Sequence, residues 1–272
     1  MIKKGEKNMD LQLRDKIACI TGGSVGIGLG IAKELAKEGV HLALCARDQE
    51  RLQGVAREIQ NEYKVKVLPV KADVSKMEDI QNFVDEVDKY FDGVDILINN
   101  AGTGSAEKIM TAPDERWYSY WDLHVMAAVR TSRLLVPYMK RRGGGAIINI
   151  ASVCAKQPLD YEPIYNTTKA ALVMFTKCLA NELVQDNIHV NSVCPGLIIT
   201  PDWRKTASIL SKDLGITPDE YLDRIAKDLA PISRFATPEE LAKFIVFLCS
   251  PLAAYCIGSS YYFDGGMLKS IV

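Results

Sequence analysis

The sequence predicts a single-domain, doubly wound α/β fold, with helices on both faces of a parallel seven-stranded sheet. Three observations carry the prediction. Short β-branched or apolar runs alternate with longer helical segments along the chain. The runs are apolar nearly throughout, as strands covered on both faces require. Nothing in the 272 residues reads as a linker, repeat or low-complexity tract. One domain therefore spans 1–272, although the length would admit two.

The first strand falls at Ile17–Thr21 and runs into a glycine-rich turn, from which a helix starts near Gly26. The second strand, Val40–Ala46, leads to a helix from Gln49. The third, Val65–Lys71, precedes a helix that Ser75-x-x-Glu78 marks as a capping box. The fourth, Ile96–Asn99, precedes a long helix from Pro113. Gly143-Gly144-Gly145 then turns the chain into the fifth strand, Ala146–Ala151, and a helix follows from about Ile164. The sixth strand, His189–Cys194, and the seventh, Tyr261–Asp264, flank the last helix, which starts at Pro238. Segment 201–234 breaks the rhythm ahead of that helix and reads as an insertion at one end of the sheet. Thr217-x-x-Glu220 and Thr237-x-x-Glu240 are capping boxes with proline at the first helical position. Alternation of this kind implies right-handed crossovers between parallel strands. Residues 1–12 read as a flexible tail.

Composition excludes several classes of function. With 48% hydrophobic residues the chain can bury a core, and surface scaling expects about three quarters of its unfolded surface to be removed from water. Lys+Arg 33 against Asp+Glu 34 leaves a net charge of −1, without the basic excess that holds proteins to nucleic acid. The 7 cysteines are odd in number and form no C-x-x-C pair, so a reducing cytoplasmic setting is expected and no metal site. Lys3, Lys4 and Lys7 have no apolar stretch behind them, so no secretory signal is expected. No apolar run approaches the roughly 18 residues of a membrane span. Asn166-Thr167-Thr168 fits the glycosylation pattern and reads as accidental in such a chain.

Chemistry enters at the first turn, Thr21-Gly22-Gly23-Ser24-Val25-Gly26-Ile27-Gly28. Glycines there permit a tight turn and close approach of a phosphate, and the helix start offers unpaired N–H groups to a pyrophosphate. Gly22-Gly23-Ser24-Val25-Gly26 also matches a G-x-S-x-G hydrolase elbow. That elbow needs a downstream acid and histidine, and His41, His124 and His189 do not supply the pattern. No G-x-x-x-x-G-K-[ST] phosphate loop occurs. Tyr165 and Lys169 stand at i and i+4, on one helical face, about 6 Å apart along the axis. An ammonium so placed is expected to lower the phenol pKa towards the working pH. Ser152 closes the fifth strand and can hydrogen-bond a carbonyl oxygen to which the tyrosine gives a proton.

Together these residues resemble the short-chain dehydrogenase/reductases, over approximately Leu13 to Leu268, in the subgroup with T-G-x-x-x-G-x-G and Y-x-x-x-K. The chain is similar to 3-oxoacyl-carrier-protein reductase-like members. Further matching pieces are Asp73-Val74, Asn99-Asn100-Ala101-Gly102, Pro195-Gly196-Leu197-Ile198-Ile199-Thr200, Pro238-Glu239-Glu240 and Asp264-Gly265-Gly266. The resemblance implies a Rossmann fold and hydride transfer between a nicotinamide and a ketone or secondary alcohol. It implies Tyr165 as acid/base, Lys169 as the group that lowers its pKa and holds the cofactor ribose, and Ser152 as the residue orienting the substrate oxygen. Thr21, Gly22, Ser24, Val25, Gly26, Ile27 and Gly28 would form the phosphate turn. Asp73 and Val74 would border the adenine, Asn100, Ala101 and Gly102 would line the cofactor, and Pro195, Gly196, Ile198 and Thr200 would flank the nicotinamide. A cofactor-binding sensor or scaffold without turnover, an enoyl reductase and a NAD-linked dehydrogenase of a polyol or steroid-like alcohol stand as alternatives.

NADP is expected over NAD. The second strand ends Cys45-Ala46-Arg47, with Ala46 where a NAD enzyme places an acid for the ribose 2′-OH, and Arg47 set to pair with a 2′-phosphate. Adjacent Asp48 could turn inward, and Val25 occupies a spot where NADP-preferring relatives often carry a basic residue. His124 stands where the family usually has asparagine. With an ordinary pKa near 6.5 it is expected to join a proton relay from Tyr165 through Lys169. Leu222, Ile225, Ala226 and Leu229 form one apolar face, with Trp203, Ile209 and Leu210 before it; the resemblance implies that this insertion is a lid, and a moderately apolar substrate is expected under it. Trp117, Trp121, Val125 and Ala128 form one stripe, and Ala171, Phe175, Cys178 and Leu179 another. The resemblance implies that these helices pair across a two-fold axis, with Tyr261 to Val272 at a second interface, in a homotetramer or homodimer.

Overall fold

The computed structural model describes residues 9–270. Most of the anticipated tail lies outside the described residues, as do the last two positions. Seven parallel strands are arranged in the order β3-β2-β1-β4-β5-β6-β7. They are β1 Ile17–Thr21, β2 His41–Ala46, β3 Val67–Lys71, β4 Ile96–Asn99, β5 Gly145–Ile150, β6 Ile188–Pro195 and β7 Ser260–Phe263. The helices are α1 Gly26–Lys37, α2 Gln49–Tyr63, α3 Met77–Tyr90, α4 Asp114–Trp121, α5 Ala127–Arg141, α6 Pro163–Leu183, α7 Pro201–Asp213, α8 Pro218–Leu229 and α9 Pro238–Cys249. Strand limits shift from the sequence reading by one or two residues. Among the described residues no helix is long and apolar enough to cross a membrane.

Strand alternation divides the core between the two faces of the sheet. Ala18 and Ile20 of β1 face a cluster that includes Ile31 and Leu35 of α1, Leu52 and Ile59 of α2 and Leu241 and Ile245 of α9. Ile17 and Cys19 face the other way, onto Ile80 and Phe83 of α3, Leu135 and Met139 of α5 and Leu183 of α6. With β1 in register with both β2 and β4, the strand order reverses between β1 and β4. The crevice outside the strand ends at such a switch point is where ligands bind in open α/β sheets.

Three sequence readings need correction. Ser75 does not cap α3. Its hydroxyl donates to Asp73 (2.8 Å) instead, and the helix starts at Met77 without a side-chain cap. By contrast, the boxes at Thr217 and Thr237 both form. The helix from Pro113 is not one α-helix, because a π-helical turn at Asp122–Met126 separates α4 from α5. That turn shifts the stripe, leaving Trp121 42% exposed while Val125 and Ala128 are buried. Finally, the apolar face of α8 is covered only in part, with Leu222 and Ala226 buried and Leu229 37% exposed. Ala226 packs with Val153, Leu197, Ala230 and Met267, and Ile225 and Trp203 lean on the same cluster, which ties the segment to the residue after Ser152. Asn166 is buried and hydrogen-bonded to Leu159 through both amide atoms, which removes it as a glycosylation acceptor.

Candidate active site

The glycine turn sits at the end of β1 with little room for side chains. Gly22 has φ +68°, and a Cβ on Gly28 would lie 2.2 Å from the Gly22 carbonyl oxygen. Helix α1 follows with Val25 at its N-cap, no side-chain cap and no acid in its first turn. Its first N–H groups and its dipole are thus left to an anionic ligand. Val25 itself is 39% exposed beside them, Ser24 is buried, and Ile27 packs against the core of that face.

Two residues expected at the cofactor also brace the scaffold. The Thr21 hydroxyl accepts from the N–H groups of Asn100 (3.0 Å) and Ala101 (3.1 Å). Asn100 in turn donates its amide to the carbonyls of Thr21 and Gly22. Thr21 and Asn100 therefore lock β4 to the turn through the Thr21 hydroxyl and the Asn100 amide nitrogen. Beneath them Asn99 donates to Asn149 and Asn149 to Thr176, each at 2.8 Å and buried. Thr131 donates to Asn99 from α5 at 2.6 Å. This polar seam, which periodicity gave no reason to expect, ties β4 and β5 to the helix that carries Tyr165.

At the end of β2 the two neighbouring charges separate. Asp48 caps α2, accepting from the Arg51 N–H at 3.0 Å, and pairs with the Arg51 side chain at 3.2 Å. It does not turn inward. Arg47 is exposed and lies close enough to Asp73 to act on its charge. Burial alone would raise the Asp73 carboxyl, but hydrogen bonds from Ser75 and the field of Arg47 hold it below its ordinary value. Val74 is buried beside it.

Ser152 follows β5 and caps a single 3₁₀ turn at Val153–Ala155. Helix α6 begins with Pro163 at its first position and brings Tyr165 and Lys169 to the same cleft. Lys169 is buried, donates to the Ile150 carbonyl at 2.7 Å, and lies 5.5 Å from the Tyr165 ring centre. Burial lowers its ammonium pKa to about 8. Burial also raises the Tyr165 phenol above its usual value, with Cys154 and Glu162 adding to the effect and Ser152 opposing it. The expected lowering of the tyrosine pKa by Lys169 is not found: desolvation is the largest cause, and the one opposing group is Ser152. The arrangement presents a protonated phenol, a hydroxyl and an ammonium around one point, which can donate a proton to a carbonyl oxygen.

His124 departs from its expected role. It lies on the π-helical turn, edge-on to Tyr165 with ring centres 5.4 Å apart. Nε2 accepts from the Thr103 N–H at 3.2 Å, so the ring proton sits on Nδ1 and is donated to the Thr168 hydroxyl at 2.9 Å. Burial and then the Lys169 charge push its pKa down to about 2. The ring stays neutral near pH 7, and its two nitrogens bond to Thr103 and Thr168. These contacts fit a positioning residue and lend no support to a titrating relay. On the other side of the cleft, Pro195 ends β6 and Gly196 bonds back to Phe263. Ile198 bridges to Ala236, and the Thr200 hydroxyl caps α7 by accepting from the Trp203 N–H. Gly102 passes so close to Lys169 that a Cβ there would lie 3.5 Å from Nζ.

Sequence reasoning missed Ser105, Glu107 and Glu162, which lie beside this group. The loop carrying Ser105 and Glu107 has no periodicity, and its meeting with Glu162 joins positions more than fifty residues apart. Burial, and then repulsion from Glu107, raise the Glu162 carboxyl to about 6, against a bond from the Ser105 N–H.

Residues 16–208 match the short chain dehydrogenase family. The chain belongs to this family of oxidoreductases. It is 33% identical over 259 residues to the 3-oxoacyl-[acyl-carrier-protein] reductase FabG of Aquifex aeolicus, covering 95% of this chain and 100% of that one. Among solved structures, L-sorbose reductase from Gluconobacter frateurii, complexed with NADPH and L-sorbose, is 57% identical with a TM-score of 0.96. The match covers 97% of this chain and all of that one. An actinorhodin polyketide ketoreductase with NADPH is 32% identical, with a TM-score of 0.88 over 94% of this chain and 98% of the other.

Proposed function

We propose that the protein is an NADPH-dependent reductase that converts a polyhydroxylated ketone to a secondary alcohol. The observation that supports this best is the 57% identity, over almost the whole chain, to a reductase of the ketose L-sorbose. The weaker likeness to a 3-oxoacyl reductase and the apolar face of α8, covered in part, give an apolar substrate less support.

The residues fit the dinucleotide. The first turn of α1 would hold the pyrophosphate, and Arg47 the 2′-phosphate, since Asp48 is committed to its helix. Asp73 and Val74 would border the adenine, and Lys169 would take the ribose. When bound, NADPH supplies the hydride. Ser152 would hold the substrate oxygen while Tyr165 gives it a proton. A phenol kept protonated by burial suits reduction, in which the oxygen must receive a proton. Segment 201–234 would close over the substrate, and the reducing cytoplasm suits a chain whose Cys19, Cys45, Cys154, Cys194 and Cys249 are free and buried.

Steady-state assays with ketoses and NADPH or NADH test the proposal. NADPH is expected to be preferred, and Arg47→Ala should raise its KM by about tenfold or more, as losing a charged hydrogen bond of about 1.5–3 kcal/mol implies. Tyr165→Phe should abolish turnover while leaving cofactor binding intact. Preference for NADH, indifferent to Arg47→Ala, would overturn the cofactor assignment. Binding without turnover of any ketone would make the chain a sensor.

A further inference from the structure

The chain beyond β7 folds back among the segments that build the candidate site. Asp264 turns it. Its carboxylate accepts from the N–H groups of Gly266 (3.1 Å) and Leu268 (2.8 Å), and its carbonyl accepts from the Met267 N–H at 3.1 Å. Gly265 and Gly266 pass through positive φ, +61° and +85°, which glycine adopts at no steric cost. Residues 264–269 thus form a strap whose shape is set by its own sequence.

Three segments meet this strap. At the end of β6, the Gly196 N–H donates to the Phe263 carbonyl at 3.0 Å, and a Cβ on Gly196 would lie 3.0 Å from Asp264 Cα. At the end of the insertion, just past α8, the Ile232 N–H donates to the Gly265 carbonyl at 3.2 Å, and a Cβ on Gly266 would lie 3.2 Å from the Pro231 ring. At the Ser152 turn, the Lys269 N–H donates to the Gln157 side chain at 3.4 Å, while the Gln157 N–H donates to the Val153 carbonyl at 3.1 Å. Met267 lies between these grips. It is buried in one cluster with Val153, the residue after Ser152, and with Ala226 and Ala230 of the insertion. Methionine, unbranched and polarizable, suits such an irregular junction. The turn at Val153–Ala155 is a single 3₁₀ turn, and the hydrogen bonds of such turns are poorly aligned. What packs on Val153 therefore decides where Ser152 stands.

We propose that Met267 is a positioning residue of the reduction, fixing the Ser152 turn against the end of the insertion so that the Ser152 hydroxyl meets the substrate oxygen in register. This rests on the reductase reading and adds a residue that acts through Val153 and not on the substrate. A hydroxyl that orients a reacting carbonyl tolerates little displacement, and its place depends on the packing that supports it.

The test compares wild type, Met267→Ala, Met267→Leu and Val87→Ala with NADPH and L-sorbose. Val87 is buried on α3 in a different cluster, and its variant controls for the stability that any large-to-small core substitution loses. Met267→Ala should lower kcat for L-sorbose about tenfold or more, the scale on which displacing a positioned group slows a reaction, with calorimetric NADPH binding unchanged. Met267→Leu, close in volume, should recover most of the rate, and Val87→Ala should keep the wild-type kcat. Hydrogen exchange at the amides of 152–157 reads the same hold without turnover, and should quicken in Met267→Ala but not in Val87→Ala. A loss of kcat no greater in Met267→Ala than in Val87→Ala, or unchanged exchange at 152–157, would overturn the positioning role and leave ketose reduction standing. If the wild type reduces no ketose, that reading falls by itself, and the exchange comparison alone upholds or overturns the hold of Met267 on the Ser152 turn.

Discussion

At the scale of single residues, burial decides the electrostatics of the cleft. Lys169 keeps its proton only below about pH 8, while Tyr165 stays protonated well above that. Carbonyl reduction should therefore fall as pH rises through about 8, when the ammonium loses its charge. His124, lowered to about 2, should contribute no step between pH 5 and 8. We expect His124→Asn to keep the limb near 8 and to add or remove nothing near neutrality. A limb near 6.5 that vanishes in this variant would restore the titrating relay. Tyr165, Lys169 and Ser152 were legible because a helical i, i+4 spacing and a strand end define their places locally. The pKa order was not, since it depends on how many distant segments close over the pair. Nor were Ser105, Glu107 and Glu162, whose loops meet only in three dimensions.

At the scale of elements, sequence signals were reliable where they were backbone rules. Prolines at the starts of α8 and α9 and the boxes at Thr217 and Thr237 appear where the pattern put them. Ser75 failed because Asp73 accepts from both its N–H and its hydroxyl, and α3 starts later, with Lys76 at the N-cap. The π-helical turn at Asp122–Met126 left no sequence mark, though it is what aims His124 between Tyr120 and Tyr165. The glycine turn yields the sharpest element-scale expectation. Gly28→Ala places a methyl against backbone and should weaken NADPH binding by about tenfold or more, the roughly 1.4 kcal/mol that so close a contact easily exceeds. Gly54→Ala on α2, which meets nothing within 4 Å, should leave binding unchanged and stabilise the fold by up to about 1 kcal/mol. Calorimetric titration and denaturant unfolding separate the two, and equal binding in both variants would refute the role given to the turn.

At the scale of the whole molecule, the alternation of strands and helices was enough to define the sheet, because burial on both faces forces long apolar runs. It says nothing certain about assembly. Tyr118 and Trp121 on α4 and Met174 on α6 are exposed, and we propose that these helices pair between copies in an isologous dimer or tetramer. Light scattering should give a multiple of the chain mass, reduced by Trp121→Glu together with Met174→Glu; a monomeric wild type would end this proposal. Ketose reduction by NADPH is the activity proposed for the whole molecule. Its most direct test is transfer of label from NADPH deuterated at the nicotinamide hydride position to L-sorbose, read by mass spectrometry of the alcohol formed. One deuterium per alcohol on the former carbonyl carbon, absent with Tyr165→Phe, is the predicted result, and no labelled alcohol from any ketose would contradict it.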